Sequence, residues 1–472
     1  MALSCPNPDC AFLRKHGFSP SYRAGTMTCS DCGAALVERG DGGGATTAAV
    51  PGASAPAAGA RASSTPLVVT ALVLIGSFVL GLVPLPFLDV ELLRSWLASG
   101  GGDRVDAMQP VSLAALGIAP WITAALLVEI AAALVPRWRV LREPAGRHRL
   151  AAATNRLGVV VALAQALLLL RWIESIDAYG SPVLDDGSLG ARGAVVASIV
   201  CGALLVRLGA HLIDARGVGG GMTLLVGMPL AVGLLRTLIS LAQALRSEAR
   251  SPGDLMSWWL VIGGAVAVTL LVRPFPDDDR PAQPVAGLLP LLWSAAALQA
   301  AETALPLFNV MPLSWELHQV VLAACAGVLT VGVGRVLHLR ASTFGGAVPR
   351  SLAFVLALVA LWAFAGWRSV VIDATGVVVL VCVGRDLAGE LTARRMLGAL
   401  GVAGTMPSLA AAHAAQVRLS AAGIGVHVRA AHHRALWHFF GPHLSLDVLV
   451  PAADVERARE HLSASQVSAS RA

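Results

Sequence analysis

Charge is what this sequence has least of. Only 14% of its 472 residues are Asp, Glu, Lys or Arg, against roughly a quarter in an ordinary soluble chain. With 56% hydrophobic residues and a mean hydropathy of +0.70, there is too little polar surface to face water, which excludes a conventional cytosolic enzyme. Aromatics are also scarce, at 5%, and Lys15 is the only lysine among the 35 basic residues. An arginine excess in an Ala- and Gly-rich chain reads as codon bias, so the net charge of +6 makes no case for a nucleic-acid partner. The signatures of catalysis are missing too: there is no P-loop, no G-x-S-x-G, no H-E-x-x-H, and no carboxylate pair in a helical register that suggests acid/base work. The chain reads as a non-enzymatic integral membrane protein.

Cysteine is confined in a telling way. Four of the seven lie in the first 32 residues, as Cys5-x4-Cys10 and Cys29-x2-Cys32. Paired thiolates at such spacing suit a tetrahedral structural Zn2+ site, so residues 1–38 are expected to form a zinc ribbon with these four ligands. Two disulfides are the alternative, disfavoured if this end faces the reducing cytoplasm. Cys201, Cys325 and Cys382 stand alone in apolar runs and read as small buried hydrophobes. Residues 39–65, rich in Gly, Ala, Ser and Pro without periodicity, read as a flexible linker, and with no hydrophobic segment in the first 60 residues no signal peptide is expected before them.

Ten apolar segments follow, at 67–87, 111–135, 150–172, 193–213, 221–245, 257–272, 285–303, 317–337, 350–366 and 369–386. Each is long enough, or nearly so, for a hydrocarbon core of ~30 Å. Arginine placement orients them. The loop after segment two carries Arg137, Arg139, Arg142, Arg147 and Arg149 against Glu143, so it is expected inside. The stretch from Arg171 to Arg192 carries Glu174, Asp177, Asp185 and Asp186, so it is expected outside. An even count then puts both termini in the cytoplasm. After Arg395 the composition becomes soluble again. Residues 408–422 read as a helix, Ile424–Arg429 and Ser445–Val450 as strands, and Ala453–Leu462 as a closing helix, together a small α/β module. Its seven histidines, at 413, 427, 432, 433, 438, 443 and 461, keep no ligand spacing and read as solvated surface.

Segment two reads Ser112-Leu-Ala-Ala-Leu-Gly-Ile-Ala-Pro-Trp-Ile-Thr-Ala-Ala-Leu-Leu-Val-Glu129, with Arg142-Glu-Pro-Ala-Gly-Arg147-His-Arg149 in the loop beyond. Segment three contains Gln165, segment five opens on Arg216-Gly-Val-Gly-Gly-Gly-Met222, segment seven has Val285-Ala-Gly-Leu-Leu-Pro290-Leu-Leu292, and segment ten runs from Asp373-Ala-Thr-Gly-Val-Val-Val379 to Asp386 and Arg394-Arg395. In order and spacing these resemble the SecY family, the pore subunit of the general protein translocon, across residues 66–397. The resemblance implies an all-α membrane channel of ten helices in two inverted five-helix halves, opening sideways between segments two and seven. It implies a pore ring of Ile118, Ile122, Met222, Val226, Leu292 and Val379, whose flexible aliphatic side chains would block ions by dewetting. Its implied partners are unfolded polypeptide clients, small translocon subunits, membrane lipid, and a motor ATPase or ribosome docking at Arg147, Arg149, Arg273, Arg280, Arg340 and Arg350. The implied location is the bacterial plasma membrane.

Three departures stand beside it. The stretch from Ser99 to Pro110 is shorter and more charged than the family's plug segment, and the docking loops 273–284 and 338–350 are cut down. Glu129 stands where the family often has Gln, and reads as a snorkelling or paired charge, as does Arg207. These leave open a specialised or regulatory SecY paralogue without general translocation. A small-solute transporter is disfavoured by the scarcity of polar residues at mid-segment beyond Gln165 and Arg207. The module at 398–472, with Ala421-Ala-Gly-Ile-Gly-Val-His427-Val and Val448-Leu-Val-Pro451, resembles a small signal-transducing bacterial domain that often accompanies such a ribbon.

Overall fold

The computed structural model describes residues 65–93, 111–135, 138, 147–174, 177–178, 181–184, 187–247, 252–272, 288, 291, 294, 298, 315–337, 341–368, 370, 372–406, 408–437 and 446–469, and three dipeptides near the N-terminus. The chain forms two compact units, Met1–Ala60 and Arg61–Ala472. In the first, strands β1 (Leu3–Ser4), β2 (Ser21–Tyr22) and β3 (Val37–Glu38) make an antiparallel sheet in the order β2-β1-β3. The four candidate zinc ligands, Cys5, Cys10, Cys29 and Cys32, lie outside the described residues.

The second unit is built on long helices. They are α1 (Thr65–Leu80), α2 (Ala119–Leu134), α3 (Arg147–Glu174), α4 (Leu189–Arg216), α5 (Gly221–Arg246), α6 (Pro252–Val268), α7 (Trp315–Leu337), α8 (Ala341–Trp367) and α9 (Ala374–Leu397), with a short antiparallel pair, β4 (Asp177–Ala178) and β5 (Ser181–Pro182), between α3 and α4. Nine of the ten apolar segments are thereby helical. Segment seven is described only at Leu288, Leu291, Ser294 and Leu298, all buried. Over the spans Arg149–Glu174, Leu189–Arg216, Gly221–Arg246 and Pro349–Trp367 the helices are long and apolar enough to cross a membrane; among the described residues the apolar runs Thr65–Leu80, Ala119–Val128, Leu255–Val268 and Leu317–Val331 are shorter. Their outward faces carry Leu168 at 70%, Leu208 at 64% and Val328 at 74% exposure, a greasy surface that suits lipid rather than water. Cys201 and Cys325 are exposed on that surface, so of the three lone cysteines only Cys382 is a core residue.

Helix ends follow local chemistry. Ser188 caps α4 by accepting a bond from the Ala191 amide, and Asp373 caps α9 by accepting from Thr375 and Gly376. Arginines close α3, α4, α5 and α9, where they face the negative end of the helix dipole. The helix α8 begins at Ala341 and runs through Pro349, so the docking loop expected over 338–350 is largely helix and Arg350 lies within it. Likewise Arg147 and Arg149 belong to the first turn of α3. Close packing depends on small residues. A Cβ on Gly202 would run into the backbone of Leu113, and one on Gly221 into the backbone of Ala210.

The C-terminal module contains β6 (Leu400–Met406), α10 (Leu409–Ala421), β7 (His427–Val428), α11 (Ala431–Leu436), β8 (Leu446–Pro451) and α12 (Val455–Ala469), with an antiparallel sheet ordered β6-β8-β7. The sequence reading missed β6 because Leu-Gly-Val-Ala-Gly-Thr-Met has little β-propensity of its own. Its pairing with the buried strand β8 makes it a strand, with a bulge between Val402 and Gly404. The second strand is shorter than expected because the chain turns at Ala430, a non-glycine residue at φ 57°, to start α11. Ala403, Ala415, Leu419, Ile424, Val448, Val450 and Ala458 form the module's own core.

Candidate functional site

At the meeting of α1, α2, α5 and α9 lies a cavity of ≈ 430 Å³, mostly apolar in its lining. Four of the six expected ring residues line it: Ile118 at the start of α2, Ile122 one turn on, Val226 on α5 and Val379 on α9. These positions converge because α5 and α9 pack against each other, with Gly227 so close to Val383 that a Cβ would touch it. Met222, also expected in the ring, is 1% exposed and packs with Ile118, Trp121 and Leu225 behind the wall. Leu292 lies outside the described residues, although its neighbours Leu288 and Leu291 are fully buried in the main core. Polar groups at the margin are few: Ser77, Ser112, Arg236, Asp373 and Thr375.

One more residue lines the cavity, and it is the finding that sequence reasoning did not anticipate. Trp437, from the C-terminal module, forms part of the wall. It also packs with the cluster of Ile118, Met222 and Leu225. The chain that delivers it is bolted to the helices by charge. Glu390, fully buried on α9, accepts bonds from Arg429 Nε and Nη2 at 2.9 and 3.1 Å and from Arg394 Nη2 at 2.8 Å. It also accepts from the amide of Gly219 at 3.0 Å. Arg429 Nη1 reaches the Asp214 carbonyl at 3.3 Å and Asp447 at 3.5 Å. Burial works against the charge of Arg429, but the hydrogen bonds and charge of Glu390 outweigh it and hold its pKa above the ordinary value.

One turn earlier on α9, Asp386 accepts from the amides of His432 and His433 at 2.9 and 2.8 Å, and pairs with His432 Nδ1 at 2.8 Å. The side chain of His433 is buried, with Nδ1 2.9 Å from Thr223 Oγ1 on α5. Burial pushes its pKa down to about 4, against a weaker upward pull from Asp386, so the ring is neutral here. His432 and His433 are therefore contact residues and not the solvated surface expected of them.

The turn joining α4 to α5, Gly217-Val-Gly-Gly220, is the anvil for these contacts. Gly219 adopts φ 82°, a left-handed conformation that favours glycine. Thr70 Oγ1 on α1 accepts from the Val218 amide and donates to the Val218 carbonyl, at 2.8 and 3.1 Å. Asp214 accepts from the Gly221 amide at 2.6 Å. A side chain on Gly220 would meet Ala430 of the module.

The remaining expected residues are dispersed. Arg149 is exposed and Arg350 partly so; Arg273, Arg280 and Arg340 lie outside the described residues, as does the side chain of Arg147. Glu129 is on α2, its side chain likewise undescribed. Gln165 Nε2 donates to Thr123 Oγ1 at 3.4 Å, tying α3 to α2. Asp386 stood in the sequence as part of a motif, but Glu390 and Arg429 did not. The available signal was an acid pair one helical turn apart at the end of an apolar helix, since such charges call for partners.

An apolar helix bundle with lipid-facing leucines and an aliphatic-walled central cavity defines a polytopic membrane protein. Residues 112–275 match the SecY family model. The chain is 25% identical over 207 residues to the protein translocase subunit SecY of Streptomyces galbus, covering 40% of this chain and 46% of that protein. It is 27% identical over 219 residues to the same subunit of Micrococcus luteus, covering 43% and 48%. The chain thus spans about half the length of the curated relatives it matches. A solved SecY structure, described for its plug domain and closed channel, overlays at a TM-score of 0.47 with 13% identity, over 73% of this chain and 95% of that one. Over residues 112–275 the chain is thus similar to the SecY family, and SecY subunits of protein translocases are among its relatives.

Proposed function

We propose that the protein is a protein-conducting channel of the bacterial plasma membrane, passing or inserting unfolded polypeptide through the cavity bounded by Ile118, Ile122, Val226 and Val379. The observation that carries this reading is the convergence of four aliphatic side chains, from three helices, on one cavity. These four side chains offer no fixed polar contact, so the ring they form accepts any sequence and sheds water when empty. Segments two and seven would form the seam through which an apolar stretch leaves for lipid. Both termini would lie in the cytoplasm, where Arg149 and Arg350 are available to a motor or a ribosome. In the N-terminal unit, Cys5, Cys10, Cys29 and Cys32 would hold a structural zinc ion. The cysteine spacing and the three short antiparallel strands of the same unit support that assignment.

Site-specific crosslinking from Ile122 to a stalled secretory chain, in membranes containing the protein, tests the reading. Adducts that vanish when the stalled chain lacks its apolar signal are expected. A folded, inserted protein that yields none would refute the polypeptide path.

A further inference from the structure

Resting on that reading, we propose that the C-terminal module is a built-in stopper: bolted to the ends of α5 and α9, it seats Trp437 in the wall of the pore cavity and holds the channel shut. Five observations combine. The large aromatic side chain of Trp437 lines the same cavity as Ile118, Ile122, Val226 and Val379, yet comes from a segment that follows all the membrane helices. It arrives from the end of the cavity where α5 begins and α9 is finishing, since its own segment is tied to Thr223, Asp386 and Glu390.

The bolt is specific. Two acids one turn apart on α9 are each matched: Glu390 by the guanidinium of Arg429, and Asp386 by two amides and one ring nitrogen of the module. Small residues let the surfaces close. A Cβ at Gly389 would crowd His427, and one at Gly425 would run into Leu397. The same segment also grips segment seven, because the Leu288 amide donates to the Leu436 carbonyl at 3.1 Å and both residues are fully buried. A docked module therefore acts on the cavity through Trp437 and on one side of the proposed seam through Leu436. Trp437 narrows the cavity by forming part of its wall, so widening it for a polypeptide requires the 429–437 segment to shift.

The release signal must compete for that segment's contacts. A basic group offered to Asp386 and Glu390, or an acidic group offered to Arg429, has the right chemistry, because each replaces one half of the bolt.

The test uses the full-length chain in liposomes, with ion leak as the readout. Wild type and Trp437→Phe are expected to be tight. Trp437→Ala is expected to raise leak on the order of tenfold or more, from loss of a large, partly buried side chain that favours the closed state. Arg429→Gln should leak as well, through loss of the bolt with Trp437 intact. Adding Ile122→Cys to Trp437→Ala should let a bulky thiol reagent block the leak, which locates it in the cavity. Folding of each variant is checked by size-exclusion profile. If folded Trp437→Ala and Arg429→Gln stay as tight as wild type, or the leak ignores the reagent, the stopper is overturned. Crosslinking from Ile122 to a stalled chain, run on the same variants, separates the two readings. Client adducts without any change in leak retain the channel and remove the stopper. A blockable leak without adducts retains the stopper and removes the polypeptide path.

Discussion

Glu390 buries a full negative charge at 0% exposure and surrounds it with two arginines and a backbone amide. A buried ion pair of this kind adds little over a well-packed apolar pair, but removing one member strands the other in a low-dielectric site at a cost of about 3–5 kcal/mol. Glu390→Ala is therefore expected to lower the thermal stability of the detergent-solubilised protein strongly. Glu390→Ala with Arg429→Met should recover part of that loss, since one stranded charge goes with it. A double variant as unstable as the sum of the single ones would show that the pair is not coupled. At this scale the sequence was partly legible. Local apolarity showed the helices that carry Ile118, Ile122, Val226 and Val379, but these four positions were singled out only by the resemblance to the SecY family. Arg429 could not, since its partner lies 39 residues away.

Among the elements, the crossing of α4 and α5 is set by glycine. Gly221 comes so near the backbone of Ala210 that a methyl group has no room, whereas Gly233, three turns along α5, has nothing within 4 Å of its would-be Cβ. Gly221→Ala should cost on the order of 1–3 kcal/mol, because backbone must move to admit the side chain. Gly233→Ala should be neutral, or more stable by up to about 1 kcal/mol, as alanine is the better helix former. Melting of the two purified variants checks this, and equal behaviour would remove the packing argument. The glycine run before Met222 was visible as a turn, since glycine clusters end helices. That its amides are bound by Thr70 and Glu390 was not, because neither helix announces its neighbour.

On the scale of the whole molecule, the chain is two compact units, and the expected zinc belongs to the first. Metal analysis of the purified protein should find zinc at one ion per chain, lost in Cys29→Ser with Cys32→Ser. The melting of the helical unit should not move with it, because the cysteines lie in residues 1–60 and that unit spans 61–472. Absence of zinc from wild-type protein purified without chelator would favour the disulfide alternative.

Membrane residence, the places of nine helices and the kinship of residues 112–275 were determined by the sequence alone. Each depends on the identity and spacing of near neighbours: a run of apolar residues is a helix in lipid whatever surrounds it, because its backbone bonds must close internally. The position of the C-terminal module was decided only by tertiary structure. Its composition suggested a separate soluble domain, yet its contacts with α5 and α9 make it part of one compact unit with the helices. That outcome turns on charges and ring nitrogens as far apart as Thr223 and His433, 210 residues in the chain. Long-range pairs leave no periodic trace in a sequence; only the folded chain shows which buried acid meets which buried base.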